Sequence, residues 1–372
     1  MKNTAKLEQL TSLRFFAALM IVFHHADGLF GIGHAPLNLG QGVSFFFVLS
    51  GFILTFVYPS LDSGVEVRRF WLARFARIWP AYLVTFLFAF ALLLFEWNTL
   101  TGVAHLTMVQ AWVPLSVFYF SYNAVAWSIS TEAFFYLAFP ALIRNWARTW
   151  QVKLAATIVL LVALVAVTNA LHLPEYANAN NENDGWKATV HGLIYVNPLA
   201  RLLEFVTGMV LARFWVATRS PSAGWTIAEI AALAACGAAM YYTPRFAEVI
   251  RAPLGDAAAV WMIHSGSFLA FASVVFVMAQ GAGAISRLLR LRPLVVLGEI
   301  SFSLYLLHQT LLSVWRTNEW WQGFVGGALF FSALLGLSAL VWRVVEMPAR
   351  RGILSLARPR QPPAAPSLKP SR

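Results

Sequence analysis

Arg14 and His25 are the first residues of this chain whose types and spacing suggest chemistry. They stand 11 residues apart in the apolar stretch LTSLRFFAALMIVFHHADGLF, which begins at Leu10. On an α-helix that interval is about three turns plus 20°, so both face one way, roughly 16 Å apart along the axis. His24 points about 80° away from Arg14. Ionisable groups inside a membrane-length helix are costly to keep and mark functional sites by default. The pair sets a fixed cation near one end of the helix and a titratable base well inside it. His24, His25 and Asp27 do not read as a metal site, because adjacent histidines diverge on a helix, and no metal is expected.

Three more groups carry polar chemistry. In RRFWLARFARIWP, Arg74 and Arg77 are spaced i,i+3 and share a face if that segment is helical. Paired guanidiniums suit phosphate recognition. They also suit plain basic anchoring, which Trp71 and Trp79 favour as interface aromatics. In WSISTEAFFYLAFP, Ser128 and Glu132 are spaced i,i+4. A carboxylate at that depth either orients a histidine, binds a substrate hydroxyl or ties two helices together. In GEISFSLYLLHQT, Ser301, Tyr305 and His308 fall along one stripe. His308 is a second site candidate there, with a hydrogen-bonded core histidine the favoured reading. Arg201 and Glu204 suggest an ion pair, and Gly208 suggests close helix packing. Glu346, Pro348 and the arginines after them read as a helix stop and an anchor. Neither a Walker loop nor a dinucleotide-binding glycine motif is present.

These groups require a membrane scaffold to position them. The 372 residues are 59% hydrophobic and 12% charged, a charged fraction about half that of a soluble domain. Mean hydropathy is +0.66. The expected fold is an all-α polytopic bundle of about ten membrane helices, near 10–30, 40–58, 78–96, 124–143, 153–171, 198–217, 225–242, 258–280, 293–313 and 323–343. With ten spans, 21 of the 27 Lys and Arg fall on the side of the termini and four on the other. By the positive-inside rule both termini are cytoplasmic. The same split accounts for the net charge of +11 without nucleic acid. Residues 1–351 form the expected membrane domain and 352–372 a disordered cytoplasmic tail. The external segment 172–197 is rich in Asn and acids; a solvated linker is favoured over part of an acceptor-binding mouth. The first hydrophobic stretch is too long for a signal sequence and reads as a retained span. Cys236 lies alone in an apolar run, so no disulfide framework is expected.

Taken in order, these stretches resemble the acyltransferase-3 family of integral-membrane O-acyltransferases. The likeness runs from about residue 8 to 351 and rests on Arg14 with His25, on Arg74 with Arg77, and on FFFVLSGFIL, WSISTE, RLLEFVTGM, ISFSLYLLH and VEMP. It is closest to stand-alone members without an SGNH-hydrolase domain, which acetylate bacterial surface glycans such as O-antigen or exopolysaccharide. The resemblance implies transfer of an acyl group, usually acetyl, from cytoplasmic acetyl-CoA across the inner membrane to a hydroxyl of a glycan or lipid-linked saccharide. His25 is then the general base or the acyl carrier, with Glu132 or Asp27 holding its tautomer. Arg14, Arg74 and Arg77 are the expected CoA-binding residues, and Ser128, Tyr305 and His308 the expected substrate-binding residues. The rival reading is a proton-coupled transporter or lipid-linked sugar flippase, in which the same side chains form a proton relay.

Overall fold

The computed structural model describes residues 7–31, 36–177, 184–218 and 224–356. Fourteen α-helices run through them: α1 (Glu8–His25), α2 (Gly42–Val57), α3 (Gly64–Leu92), α4 (Thr99–Leu106), α5 (Ser116–Tyr119), α6 (Trp127–Ile143) and α7 (Trp146–Ala170). The series continues with α8 (Leu202–Thr218), α9 (Trp225–Ser265), α10 (Phe268–Gln280), α11 (Ala284–Leu289), α12 (Arg292–Thr317), α13 (Gly323–Val341) and α14 (Met347–Leu356). π-Helical turns occupy His191–Val196 and Trp342–Glu346. Among the described residues there is no β-strand, only an isolated bridge between Leu115 and Ala188.

Among the described residues seven stretches are long and apolar enough to cross a membrane: Leu39–Val57, Gly64–Leu92, Ala124–Ile143, Trp146–Ala170, Trp225–Gln280, Arg292–Thr317 and Gly323–Ser355. Every expected span overlaps a helix, but ten separate crossings do not emerge by that measure. α1 carries Glu8, Arg14, His24 and His25, and α8 has only 17 residues with Glu204 inside it. The expected spans 225–242 and 258–280 fall within one continuous apolar stretch.

Boundaries follow local chemistry. α3 starts at a capping box in which Ser63 and Glu66 each bond the other's backbone N–H. It therefore begins well before residue 78, the expected start of the span, and the Arg74–Arg77 segment is helical, so the two arginines are on one helix. In α9 the helix is interrupted at Gly255, whose φ of 83° is left-handed. Asn169 bridges the break, donating to the Leu254 carbonyl at 2.8 Å and accepting from Ala257 N–H at 3.0 Å. The tail expected to be disordered from 352 continues in α14 as far as Leu356; residues 357–372 lie outside the described ones.

The most extensive helix pairings are α2 with α8 and α1 with α12. Both are backbone-close crossings at glycine. A Cβ on Gly208 would meet the Val48 carbonyl oxygen at 2.0 Å, and one on Gly298 would meet that of Thr11 at 2.0 Å. Small residues at helix crossings permit this approach. Gly237 in α9 has nothing within 4 Å of the same position. Gly298→Ala is accordingly expected to destabilise the protein by about 1–3 kcal/mol through overpacking, whereas Gly237→Ala leaves stability unchanged or slightly raised. Thermal unfolding of both variants in the same detergent checks this, and equal midpoints would refute the close-crossing argument.

Candidate active site

The α1–α12 crossing organises two cavities stacked along the bundle. The N-terminal half of α1 contributes Arg14 to the first, and the C-terminal end contributes His24 and His25 to the second. Val43 of α2 and Tyr305 of α12 line both, so they form a shared wall. Tyr305 is anchored in that wall: its hydroxyl lies 2.8 Å from Ser128 Oγ and donates to the Val125 carbonyl at 3.2 Å.

The first cavity, of about 180 Å³, gathers Arg14, Arg74, Arg77, Glu132, Tyr136, Ser128 and Ser301. Its three guanidiniums come from α1 and α3, and its carboxylate from α6. Glu132 accepts hydrogen bonds from the Tyr136 hydroxyl and, at 3.5 Å, from Ser50 Oγ. Arg77 is ion-paired with the buried Glu346 of the Trp342–Glu346 turn, which also accepts from Ser303 Oγ at 3.3 Å. Arg74 is packed among the rings of Tyr58, Phe70 and Tyr136, with its carbon 5.8–6.0 Å from their centroids. Arg14 makes neither a hydrogen bond nor an ion pair with any described residue, although Glu132 is near enough to act on its charge. The pairing of Arg77 leaves Arg14 and Arg74 as the cations open to an anionic ligand.

The second cavity, of about 380 Å³, holds His24, His25, His191, His264, Tyr195 and Gln309 among its walls. Here His25 Nδ1 lies 2.8 Å from His308 Nε2, with the two rings stacked at 5.1 Å. His308 Nδ1 lies 2.6 Å from the Tyr305 carbonyl oxygen. A carbonyl only accepts, so Nδ1 of His308 must carry the proton. In neutral His308 the Nε2 is then an acceptor, and His25 Nδ1 must donate to it. The outcome is a single assignment: His25 keeps an unprotonated, basic Nε2. Arg316 donates to the His25 carbonyl oxygen at 2.6 Å and fixes the helix end beneath it.

Comparisons with known proteins identify the family. A family model described as an acyltransferase domain matches residues 7–345. The chain belongs to the acyltransferase-3 family. It is 30% identical over 391 residues to acyltransferase MdmB of Streptomyces mycarofaciens, covering 96% of this chain and 95% of that one. It is 25% identical over 385 residues to nodulation protein 10 of Rhizobium leguminosarum bv. viciae, covering 91% and 92%. Against O-acetyltransferase OatA of Staphylococcus aureus it is 24% identical over 370 residues, 93% of this chain but 57% of OatA. No solved structure matches. Acyl transfer by a multi-pass membrane protein is thus the chemistry this acyltransferase has to perform.

The expected site residues divide between the two cavities of the acyltransferase. Arg14, Arg74, Arg77, Ser128, Glu132 and Tyr305 line the first, His25 and Tyr305 the second, and His308 backs His25 from behind. Glu132 accepts from Tyr136 and Ser50, Asp27 lies towards His24, and the ring of His25 is bonded to His308. Glu346, expected with Pro348 and the following arginines as a helix stop and an anchor, is buried and ion-paired with Arg77. Arg201 and Glu204 are fully buried and paired twice, at 2.8 and 3.0 Å, as their spacing suggested. Segment 172–197, for which a linker was favoured, contributes His191 and Tyr195 to the second cavity. Sequence reasoning missed these two, together with His264 and Gln309. The i,i+4 spacing of His191 and Tyr195 in an otherwise apolar run was the available signal. Among the described residues no group of three His, Cys, Asp or Glu is placed to hold a metal.

Removing one partner of a buried ion pair strands the other charge, at a cost of about 3–5 kcal/mol. Arg77→Met is therefore expected to destabilise strongly, and Arg77→Met with Glu346→Leu to recover most of the loss. Equal unfolding midpoints for the single and double variants would show that the pair is not structural.

Proposed function

We propose that this protein takes an acetyl group from cytoplasmic acetyl-CoA and delivers it to a hydroxyl of a surface or lipid-linked saccharide on the opposite side of the bacterial inner membrane. In this reading it spans the membrane about ten times, with both termini cytoplasmic, in accord with the distribution of Lys and Arg. The observation that carries the proposal is the His25–His308–carbonyl chain, which leaves one basic nitrogen in a cavity that abuts an arginine-lined one. The similarity to OatA, an O-acetyltransferase, supports acetyl as the group and oxygen as the acceptor atom.

Arg14 and Arg74 would hold phosphate oxygens of CoA, since guanidiniums bind them with two parallel hydrogen bonds. The thioester arm would then extend along the axis of α1 and pass the wall formed by Val43 and Tyr305. At His25 the acceptor hydroxyl gives its proton to Nε2 as its oxygen attacks the thioester carbonyl carbon. The charge that develops on His25 is shared through Nδ1–H to His308. Collapse of the tetrahedral intermediate breaks the C–S bond, and the CoA thiolate takes the proton back from Nε2 and leaves as the thiol. The same Nε2 is the atom that would carry the acetyl group if the transfer ran in two steps.

His25→Ala is expected to abolish label transfer from acetyl-CoA in proteoliposomes while the protein still inserts and folds; undiminished transfer would end the proposal. His308→Ala should lower kcat by roughly 10²- to 10⁴-fold, the range for losing an oriented base. His308→Gln, whose side-chain oxygen can still accept from His25 Nδ1, should recover part of that loss. Arg74→Ala should raise the KM for acetyl-CoA with little change in kcat. An unchanged KM would remove Arg74 from the donor site. Mass spectrometry of surface glycans with and without the gene would identify the acetylated sugar.

A further inference from the structure

The second cavity contains more unmet hydrogen-bonding capacity than its walls require. His191 Nδ1, His264 Nε2 and Gln309 Oε1 are each buried from solvent without a hydrogen-bond partner among the described residues. Buried polar atoms in folded proteins are nearly always paired, and exceptions mark places where something else supplies the partner. All three residues line the same cavity as His25. His191 is itself 5% exposed, so its ring is part of the interior.

The remaining walls are aromatic. Tyr195 lies 4.7 Å from His191, 3.9 Å from His264 and 4.5 Å from Trp127, ring centre to ring centre. Phe120 closes the cavity beside His191 at 5.6 Å. Aromatic faces carry partial negative charge and favour the weakly positive C–H face of a saturated ring. A polyhydroxylated ring combines one such face with hydroxyls around its rim, so it matches flat aromatics and scattered polar atoms together.

Charge narrows the choice. Among the described residues lining this cavity there is no Asp, Glu, Lys or Arg. Burial, and after it the Arg201 guanidinium, push the His191 imidazole down to about 3. That imidazole is therefore neutral at physiological pH. A carboxylate entering here would lose its hydration and meet no cation in the walls, since the nearby Arg201 is already paired with Glu204, which is costly.

We infer that His191, His264 and Gln309 form the acceptor subsite and select a neutral sugar ring, stacked on Tyr195 and Trp127, over an acidic one. The inference rests on the reading above that His25 faces the acceptor, and it adds the class of acceptor and the residues that choose it. His24, whose ring lies 5.3 Å from that of His25, sits at the rim of the same cavity.

The test is direct binding to the full chain purified into nanodiscs, by titration with neutral methyl hexosides and the corresponding methyl uronosides. At least one neutral hexoside should bind, about tenfold or more tightly than its uronoside. His264→Ala and Gln309→Leu should each weaken that binding about tenfold. Neither should alter binding of acetyl-CoA, which doubles as the check that the variants are folded. The inference is overturned if no neutral hexoside binds, if uronosides bind equally well, or if both variants bind the hexoside as the parent does. Label transfer separates this result from the parent reading. Hexoside binding that depends on His264, without transfer from acetyl-CoA, would sink the proposed reaction and keep the subsite. Transfer with an acceptor KM unchanged in His264→Ala would do the reverse.

Discussion

The contact between α1 and α12 governs the rest of the molecule. Because Gly298 has no side chain, its backbone rests against the Thr11 carbonyl, and the two helices run closely side by side. His25 thereby comes within hydrogen-bond distance of His308, and Arg14 shares a cavity with Ser301 and Tyr305. Inside a membrane there is little hydrophobic drive to press helices together; van der Waals packing and interhelical hydrogen bonds hold them. The histidine pair is thus part of the crossing as well as part of the second cavity's wall.

A second constraint is the cost of charge in an apolar bundle. The protein meets it by pairing some cations and leaving others available. Arg201 is matched to Glu204 and bonded to Ser44 at 2.9 Å, which ties α8 to α2 beside the crossing of Gly51 and Gly208. Arg77 is matched to Glu346. Arg74 is surrounded by aromatic rings, and Arg14 faces the cavity. Buried ion pairs contribute weakly to net stability but are severely destabilising when halved. The two paired arginines therefore brace the scaffold, while Arg14 and Arg74 line the first cavity without a carboxylate bonded to them.

Division of labour follows from where the cavities lie. One has guanidiniums and a carboxylate; the other has imidazoles, an amide and aromatic faces. An anionic donor and an uncharged acceptor would each find a matching environment, and Tyr305 and Val43 stand between them. Such a wall serves acyl transfer, because water admitted to a thioester would hydrolyse it.

Much of this was legible in the residues themselves. Composition and hydropathy specified an all-helical membrane protein, because apolar runs of about 20 residues have no other stable use. Helical periodicity put Ser128 and Glu132 on one face and Arg201 beside Glu204, since both relations are local in sequence. The family motifs singled out Arg14, His25, Arg74 and Arg77, and the fold places all four along the walls of the two cavities. What only the tertiary structure decided were the partners. His25 and His308 are 283 residues apart in the chain and 2.8 Å apart in space. Glu346 finds Arg77, and His191 joins His264, by the same long-range folding. A one-dimensional pattern fixes which face a side chain occupies, but the close crossings at glycine determine which faces meet, and so which nitrogen of His25 is engaged by His308.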